Sequence, residues 1–149
     1  VFPPAPVVAE LDEALRPLRA AHPDLKWSTP GRWHITLCFH GDDAVPDGRL
    51  EALRDATAPT LRLTGSGTFP GVLWIGVDGP LHPLARLAGA DERWRPHLTV
   101  ARSRRRRVRW PHVGFTGREW TVTEVALVGS DPSAGYRVLD RVPLSTPND

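Results

Sequence analysis

Two short stretches of this sequence repeat one unusual pattern. Residues 34–37 read His-Ile-Thr-Leu and residues 97–100 read His-Leu-Thr-Val, each a histidine and a threonine alternating with apolar residues. Side chains two apart on an extended strand point to the same side. His34 and Thr36 therefore share one face, as do His97 and Thr99, while Ile35, Leu37 and Phe39 on one strand and Leu98 and Val100 on the other face a core. Because buried polar groups without partners cost about 1–3 kcal/mol, the His/Thr faces must be wet or lined with polar partners. Brought together, they would place two imidazoles and two hydroxyls in one cleft.

That set is chemically coherent for phosphodiester cleavage. Histidine titrates near neutrality, so one neutral ring can remove a proton while a second, protonated ring donates one. The threonine hydroxyls can donate hydrogen bonds to non-bridging phosphoryl oxygens, and Arg102 can add charge to the same oxygens. A zinc site is the competing chemistry, since imidazole is a good zinc ligand. It would need further ligands, and His22, His40, His82 and His112 show no ligand spacing. A non-catalytic nucleotide-binding cleft is a third reading, although binding alone does not call for two imidazoles.

The elements that must position these residues can be read in outline. Val7, Val8, Leu11, Leu15 and Leu18 recur at helical spacing, with Pro17 expected to bend or split that helix. "WHITLCF" reads as a strand closed by Gly41-Asp42. Asp47 can cap a second helix carrying Leu50 and Leu53 and ending at Pro59. Strands follow at residues 61–65 and 72–77 around the turn "SGTFPG", then a short helix in "PLHPLARLAG" stopped by Gly89. "HLTVA", "EWTVTEVALVGS" and "YRVLDRVPL" read as three more strands, the last two joined at "DPSAG". This mixture points to an α+β fold, a single domain over residues 1–149, with one His-x-Thr strand in each of two similar lobes.

Composition narrows the setting. The chain has 149 residues, 40% of them hydrophobic and 24% charged, as expected of a globular domain. No stretch approaches a membrane span, and "VFPPAPVV" lacks the charged and apolar regions of a signal peptide. Cys38, read as a small filler, is the single cysteine, which suits a reducing cytoplasm. The net charge of +2 conceals a concentration of arginine: residues 93–118 contain nine arginines and no Asp or Glu. Such a block attracts phosphate groups. Arg104 and Arg105 within it are candidate RNA-backbone contacts, Trp110 beside it can stack on a base, and His40 is a further candidate substrate contact.

The paired motifs and their surroundings resemble the 2H phosphoesterases, and among them the RNA 2′,3′-cyclic phosphodiesterases, long called 2′-5′ RNA ligases. The likeness is carried by "HITL" and "HLTV", by "LKWSTPGRWHITLCFHGD" leading into the first motif, and by "GTFPGVLWIGV", "RPHLTVAR" and "YRVLDRVPL". It implies a bilobal fold of two pseudo-symmetric antiparallel sheets with helices outside and a central cleft. It implies hydrolysis of an RNA or nucleoside 2′,3′-cyclic phosphate to the 2′-phosphomonoester, without metal or other cofactor, by a cytoplasmic monomer, with reversible 2′-5′ ligation as a related reaction. A phosphodiesterase for another cyclic phosphate or a 2′-5′ oligonucleotide is the alternative within the family. On this likeness His34 protonates the departing 3′ oxygen, His97 activates water, and Thr36 and Thr99 hold the phosphoryl oxygens. Two departures are expected to show: an N-terminal strand reduced to "VF", and a trimmed helix before the second motif.

Overall fold

The computed structural model describes residues 1–40, 49–105, 107–131 and 135–146. Asp47, the Gly41-Asp42 closure, Arg106 and most of the "DPSAG" turn lie outside them. The chain opens with helix α1 (Ala5–Ala21), whose Val7, Leu11 and Leu15 are buried at successive turns, as the spacing requires. Pro17 does not split it. A proline removes one backbone donor; here the helix continues through that position for one more turn, closed by the His22 N–H on the Leu18 carbonyl at 2.9 Å.

Seven strands follow: β1 (Lys26–Trp27), β2 (Thr60–Phe69), β3 (Val72–Asp78), β4 (His97–Arg102), β5 (Thr116–Thr121), β6 (Glu124–Asp131) and β7 (Gly135–Pro143). They form a five-stranded sheet in the order β1-β4-β3-β2-β5 and a two-stranded β6-β7 sheet, with every pairing antiparallel. Helix α1 packs on β5, where Glu10 accepts a hydrogen bond from the Arg118 backbone N–H at 3.0 Å and pairs with its guanidinium. Helix α2 (His82–Leu87) has six residues, so the helix before the second motif is short, and Gly89 closes it at φ +108.

Several sequence expectations change. The first motif is not a regular strand: Ile35 makes a single antiparallel bridge to Leu98, and residues 37–40 leave the strand geometry. Alternation therefore lapses, so Ile35 and Leu37 are buried but Phe39 is 73% exposed instead of facing the core. The helix expected around Leu50 and Leu53 is a 3₁₀ turn over Arg49–Leu53, which nonetheless buries both leucines. The "SGTFPG" turn shrinks to Pro70-Gly71, because β2 continues through Phe69 with an irregularity between Leu63 and Ser66 where Gly65 takes a φ of +68. "EWTVTEVALVGS" divides into β5 and β6 at Val122-Thr123. The two-residue strand β1 was not anticipated.

One packing detail reaches toward the second motif. Trp74 on β3 lies over Gly67 on β2, its partner in register, and a methyl group at Gly67 would overlap the indole. Gly114, by contrast, has open space around it. We expect Gly67→Ala to lose about 1–3 kcal/mol by overpacking and Gly114→Ala to stay within about 0.5 kcal/mol of the parent. Urea unfolding of the two variants side by side checks this, and equal midpoints would contradict it.

Candidate active site

The antiparallel bridge between Ile35 and Leu98 sets the site. Extending its register by one residue each way puts His34 opposite Thr99 and Thr36 opposite His97. Ile35 and Leu98 have no exposed surface, so their neighbours on both segments are turned outward together. The two motifs thus meet about a local two-fold axis.

Each imidazole is oriented by the same device. His34 Nδ1 lies 2.9 Å from the Arg32 carbonyl, and His97 Nδ1 lies 2.8 Å from the Arg95 carbonyl. A carbonyl only accepts, so Nδ1 must be the donor in both rings. Nε2 is then the nitrogen left for chemistry on each histidine. The carbonyls are aimed by local backbone: Arg32 ends a 3₁₀ turn over Pro30–Arg32, and Arg95 precedes Pro96, which favours an extended conformation. Aromatic edges fix the ring planes. Tyr136 meets His34 at 4.9 Å between centroids and Phe69 meets His97 at 5.1 Å, both nearly perpendicular. The Trp94 indole donates to the Thr36 carbonyl at 2.9 Å, tying the irregular first motif to the loop before β4.

Between the motifs lies a cleft of about 550 Å³ lined by His34, Thr36, His97, Thr99 and Arg102, together with Lys26, Arg32 and Tyr136 on its walls. Among the described residues its lining includes three permanent cations and no carboxylate. This is the electrostatic signature of an anion site. Burial holds the His34 imidazole below its ordinary value of 6.5, outweighing the Arg32 carbonyl that favours the proton, with the neighbouring N-terminal amine, the His97 side chain and the Arg102 guanidinium adding to the drop. Among the described residues, no group of three or more His, Cys, Asp or Glu side chains could hold a metal ion.

The remaining candidates separate. Arg102 joins the motifs in the cleft. His40 and Cys38 line a smaller hollow of about 160 Å³ between the first motif and β6, which shares His34, Thr36 and Tyr136 with the cleft. Arg105 and Trp110 line another groove, whose wall includes Phe69. Arg104 is exposed and lines none of the three. Sequence reasoning missed Arg32, Lys26, Tyr136 and Phe69. For Arg32 a signal existed, because both motifs carry an arginine two residues before the histidine, in "RWHIT" and "RPHLT". Nothing in the sequence marks Tyr136, which reaches the cleft from β7.

The family described as LigT like Phosphoesterase matches residues 1–76. A relative from Thermus thermophilus, named RNA 2′,3′-cyclic phosphodiesterase, is 33% identical over 97% of this chain and 87% of its own length. The chain belongs to the LigT-like phosphoesterases. Solved structures agree over nearly the whole LigT-like fold: TT0787 of Thermus thermophilus superposes with a TM-score of 0.78 at 30% identity, covering 99% of this chain and 97% of that one. Escherichia coli LigT complexed with 3′-AMP gives 0.71 at 28% identity, covering 92% of each chain. The α+β fold with antiparallel sheets read from the sequence is therefore that of known LigT-like proteins.

The depressed His34 value has a consequence for stability. An unfolded histidine takes up its proton near pH 6.5, whereas folded His34 resists it to lower pH. The contribution of this residue to stability is thus full above pH 6.5 and is lost as pH falls from there through its folded pKa. We expect His34 to titrate below 6.5 by imidazole NMR, and His34→Gln to flatten the acid side of the stability profile. A midpoint at or above 6.5 in the ligand-free protein would overturn this.

Proposed function

We propose that the cleft hydrolyses 2′,3′-cyclic phosphate ends of RNA or nucleotides to 2′-phosphomonoesters. The observation that carries this reading is the pair of symmetrically oriented histidines, each with Nδ1 committed to a backbone carbonyl and Nε2 left for proton transfer. The name of the Thermus relative and the 3′-AMP complex of E. coli LigT support it.

In this mechanism His97 Nε2 accepts a proton from water as the water oxygen attacks phosphorus. The bond from phosphorus to O3′ breaks in line, and the Nε2 proton of His34 passes to O3′, leaving the phosphate on O2′. Thr36 and Thr99 donate hydrogen bonds to the non-bridging oxygens, and Arg102 places its charge beside them. The cleft by itself favours neutral His34, but a bound phosphate anion works in the opposite direction, so the substrate itself helps to charge the acid it needs. Each step uses only side chains of this chain. An alcohol in place of water would form a 2′-5′ linkage by the same transfers. We place the reaction in the cytoplasm, where a single cysteine suits reducing conditions.

His34→Ala and His97→Ala should each reduce hydrolysis of a 2′,3′-cyclic nucleotide by about 10²–10⁴-fold with an unchanged far-UV circular dichroism spectrum. Thr36→Val and Thr99→Val should cost about 10²-fold. EDTA should leave the parent rate unaltered. Chromatography resolving the 2′- and 3′-phosphate products completes the assay. Activity within tenfold of the parent in either alanine variant would sink the two-histidine mechanism.

A further inference from the structure

Another concavity, of about 520 Å³, is lined by Phe69, Gly71, Arg105, Arg107, Val108 and Trp110. Among the described residues it shares no lining residue with the cleft, but Phe69 on its wall meets the His97 ring, and the β3-β4 pairing brings its rim beside the strand that carries Arg102. Val72 stands opposite Arg102 in register, and the next residue back, Gly71, accepts a hydrogen bond from the Ser103 N–H at 3.0 Å. The Pro70-Gly71 turn, which lines the groove, thus lies beside the chain segment that runs from Arg102 in the cleft to Arg105 in the groove. Gly71 suits that close approach: its φ is +75, and a Cβ there would stand 3.0 Å from the Ser103 carbonyl. Phe69 is shared, pressing its ring on His97 and lining the groove as well.

The groove has the chemistry of a single-stranded nucleic acid platform. Trp110 is half-buried and packed against the core, so its indole is held in place. Base stacking on such a fixed ring is sequence-tolerant, and guanidinium groups beside it read the backbone phosphate. Arg105 and Arg107 are both exposed. Arg105 reaches Asp24 at 3.6 Å, while Arg107 pairs with no carboxylate among the described residues. Duplex RNA is read mainly through phosphates and 2′-hydroxyls across its minor groove, whereas splayed single-stranded bases stack on aromatic faces, so the fixed Trp110 indole favours an unpaired nucleotide.

We propose that this groove binds an unpaired nucleotide of the RNA strand whose cyclic end occupies the cleft, its base on Trp110 and its phosphate on Arg105 and Arg107. The assignment rests on the proposed cyclic phosphodiesterase reading and adds a binding site to it: the full ligand is a single-stranded polynucleotide end, and a mononucleotide fills only part of the surface.

Two measurements test this on the intact protein. The first compares kcat/KM for a single-stranded oligoribonucleotide ending in a 2′,3′-cyclic phosphate with that for the matching cyclic mononucleotide. The oligomer should be favoured by about tenfold or more, and Arg107→Ala should pull the ratio toward one. Trp110→Ala should do the same, with a melting curve confirming that it folds; exposed Arg107 supplies the decisive variant if it does not. The second follows fluorescence anisotropy of a 5′-labelled oligoribonucleotide ending in a 2′-phosphate, which needs no turnover. Binding should weaken about tenfold in Arg107→Ala, and its log–log salt slope should become shallower by about 0.7.

Equal efficiency on both substrates in the parent would overturn the groove while leaving the cyclic phosphodiesterase reading intact. Arg107-dependent binding of the labelled strand without hydrolysis of either substrate would do the reverse. Equal binding of a blunt hairpin end, or of a polyglutamate peptide, would overturn the assignment to an unpaired nucleotide.

Discussion

The contact on which the rest of the site depends is the antiparallel bridge between Ile35 and Leu98. Both side chains are fully buried, and each contributes on the order of 1.5–3 kcal/mol by leaving water. With the apolar residue of each motif fixed in the core, the residues flanking it have only the opposite face available. A shift of one residue in either segment would bury a histidine and expose an isoleucine or leucine, so hydrophobic packing itself enforces the register of the polar face. The functional geometry is in this sense a by-product of core burial, and it survives even though the first motif makes no regular ladder.

Burial chooses the face but does not choose the ring orientation. That comes from the carbonyl two residues upstream in each motif, from Arg32 and Arg95, and from the aromatic edges of Tyr136 and Phe69. The carbonyl fixes which nitrogen carries the proton in the neutral ring, and the aromatic ring limits rotation about the side chain. Two unrelated stretches of chain thus arrive at the same local solution, one through a 3₁₀ turn and the other through a proline. The equivalence is one of geometry, since the second motif lies on a strand of the five-stranded sheet while the first makes a single bridge to that strand.

The pairing of the motifs, the α+β class and most strands were legible because they depend on alternation and turn residues, which are local. The errors occur where tertiary contacts override local pattern. Phe39 follows Ile35 and Leu37 in perfect alternation, yet the chain leaves extended geometry after Leu37 and the ring emerges into solvent. Gly65 looked like the end of a strand, but its positive φ serves an irregularity inside β2. Arg102 was legible in the cleft because it lies on the second motif's own strand, one residue beyond Ala101. Tyr136 was not, because only the folding back of β7 brings it beside His34. Charge clustering drew Arg104, Arg105 and Trp110 into one candidate site, whereas strand direction carries them past Phe69, with only Arg105 and Trp110 sharing a groove.

The electrostatics of the cleft connect stability to function. Lys26, Arg32 and Arg102 converge with two histidines and, among the described residues, no carboxylate, so the cleft by itself concentrates like charge. Such an arrangement is unfavourable in isolation and is tolerated because the side chains remain hydrated and His34 gives up its proton readily. A phosphate anion supplies the missing partner. It relieves the repulsion among the cations, and it raises the proton affinity of the nearest imidazole at the same time. On the proposed mechanism, binding and acid activation follow from one interaction, and a neutral ligand of the same shape would obtain neither. On the proposed groove, Arg105 and Arg107 would continue this logic along a chain of phosphates, with the aromatic groups of Phe69 and Trp110 beside them.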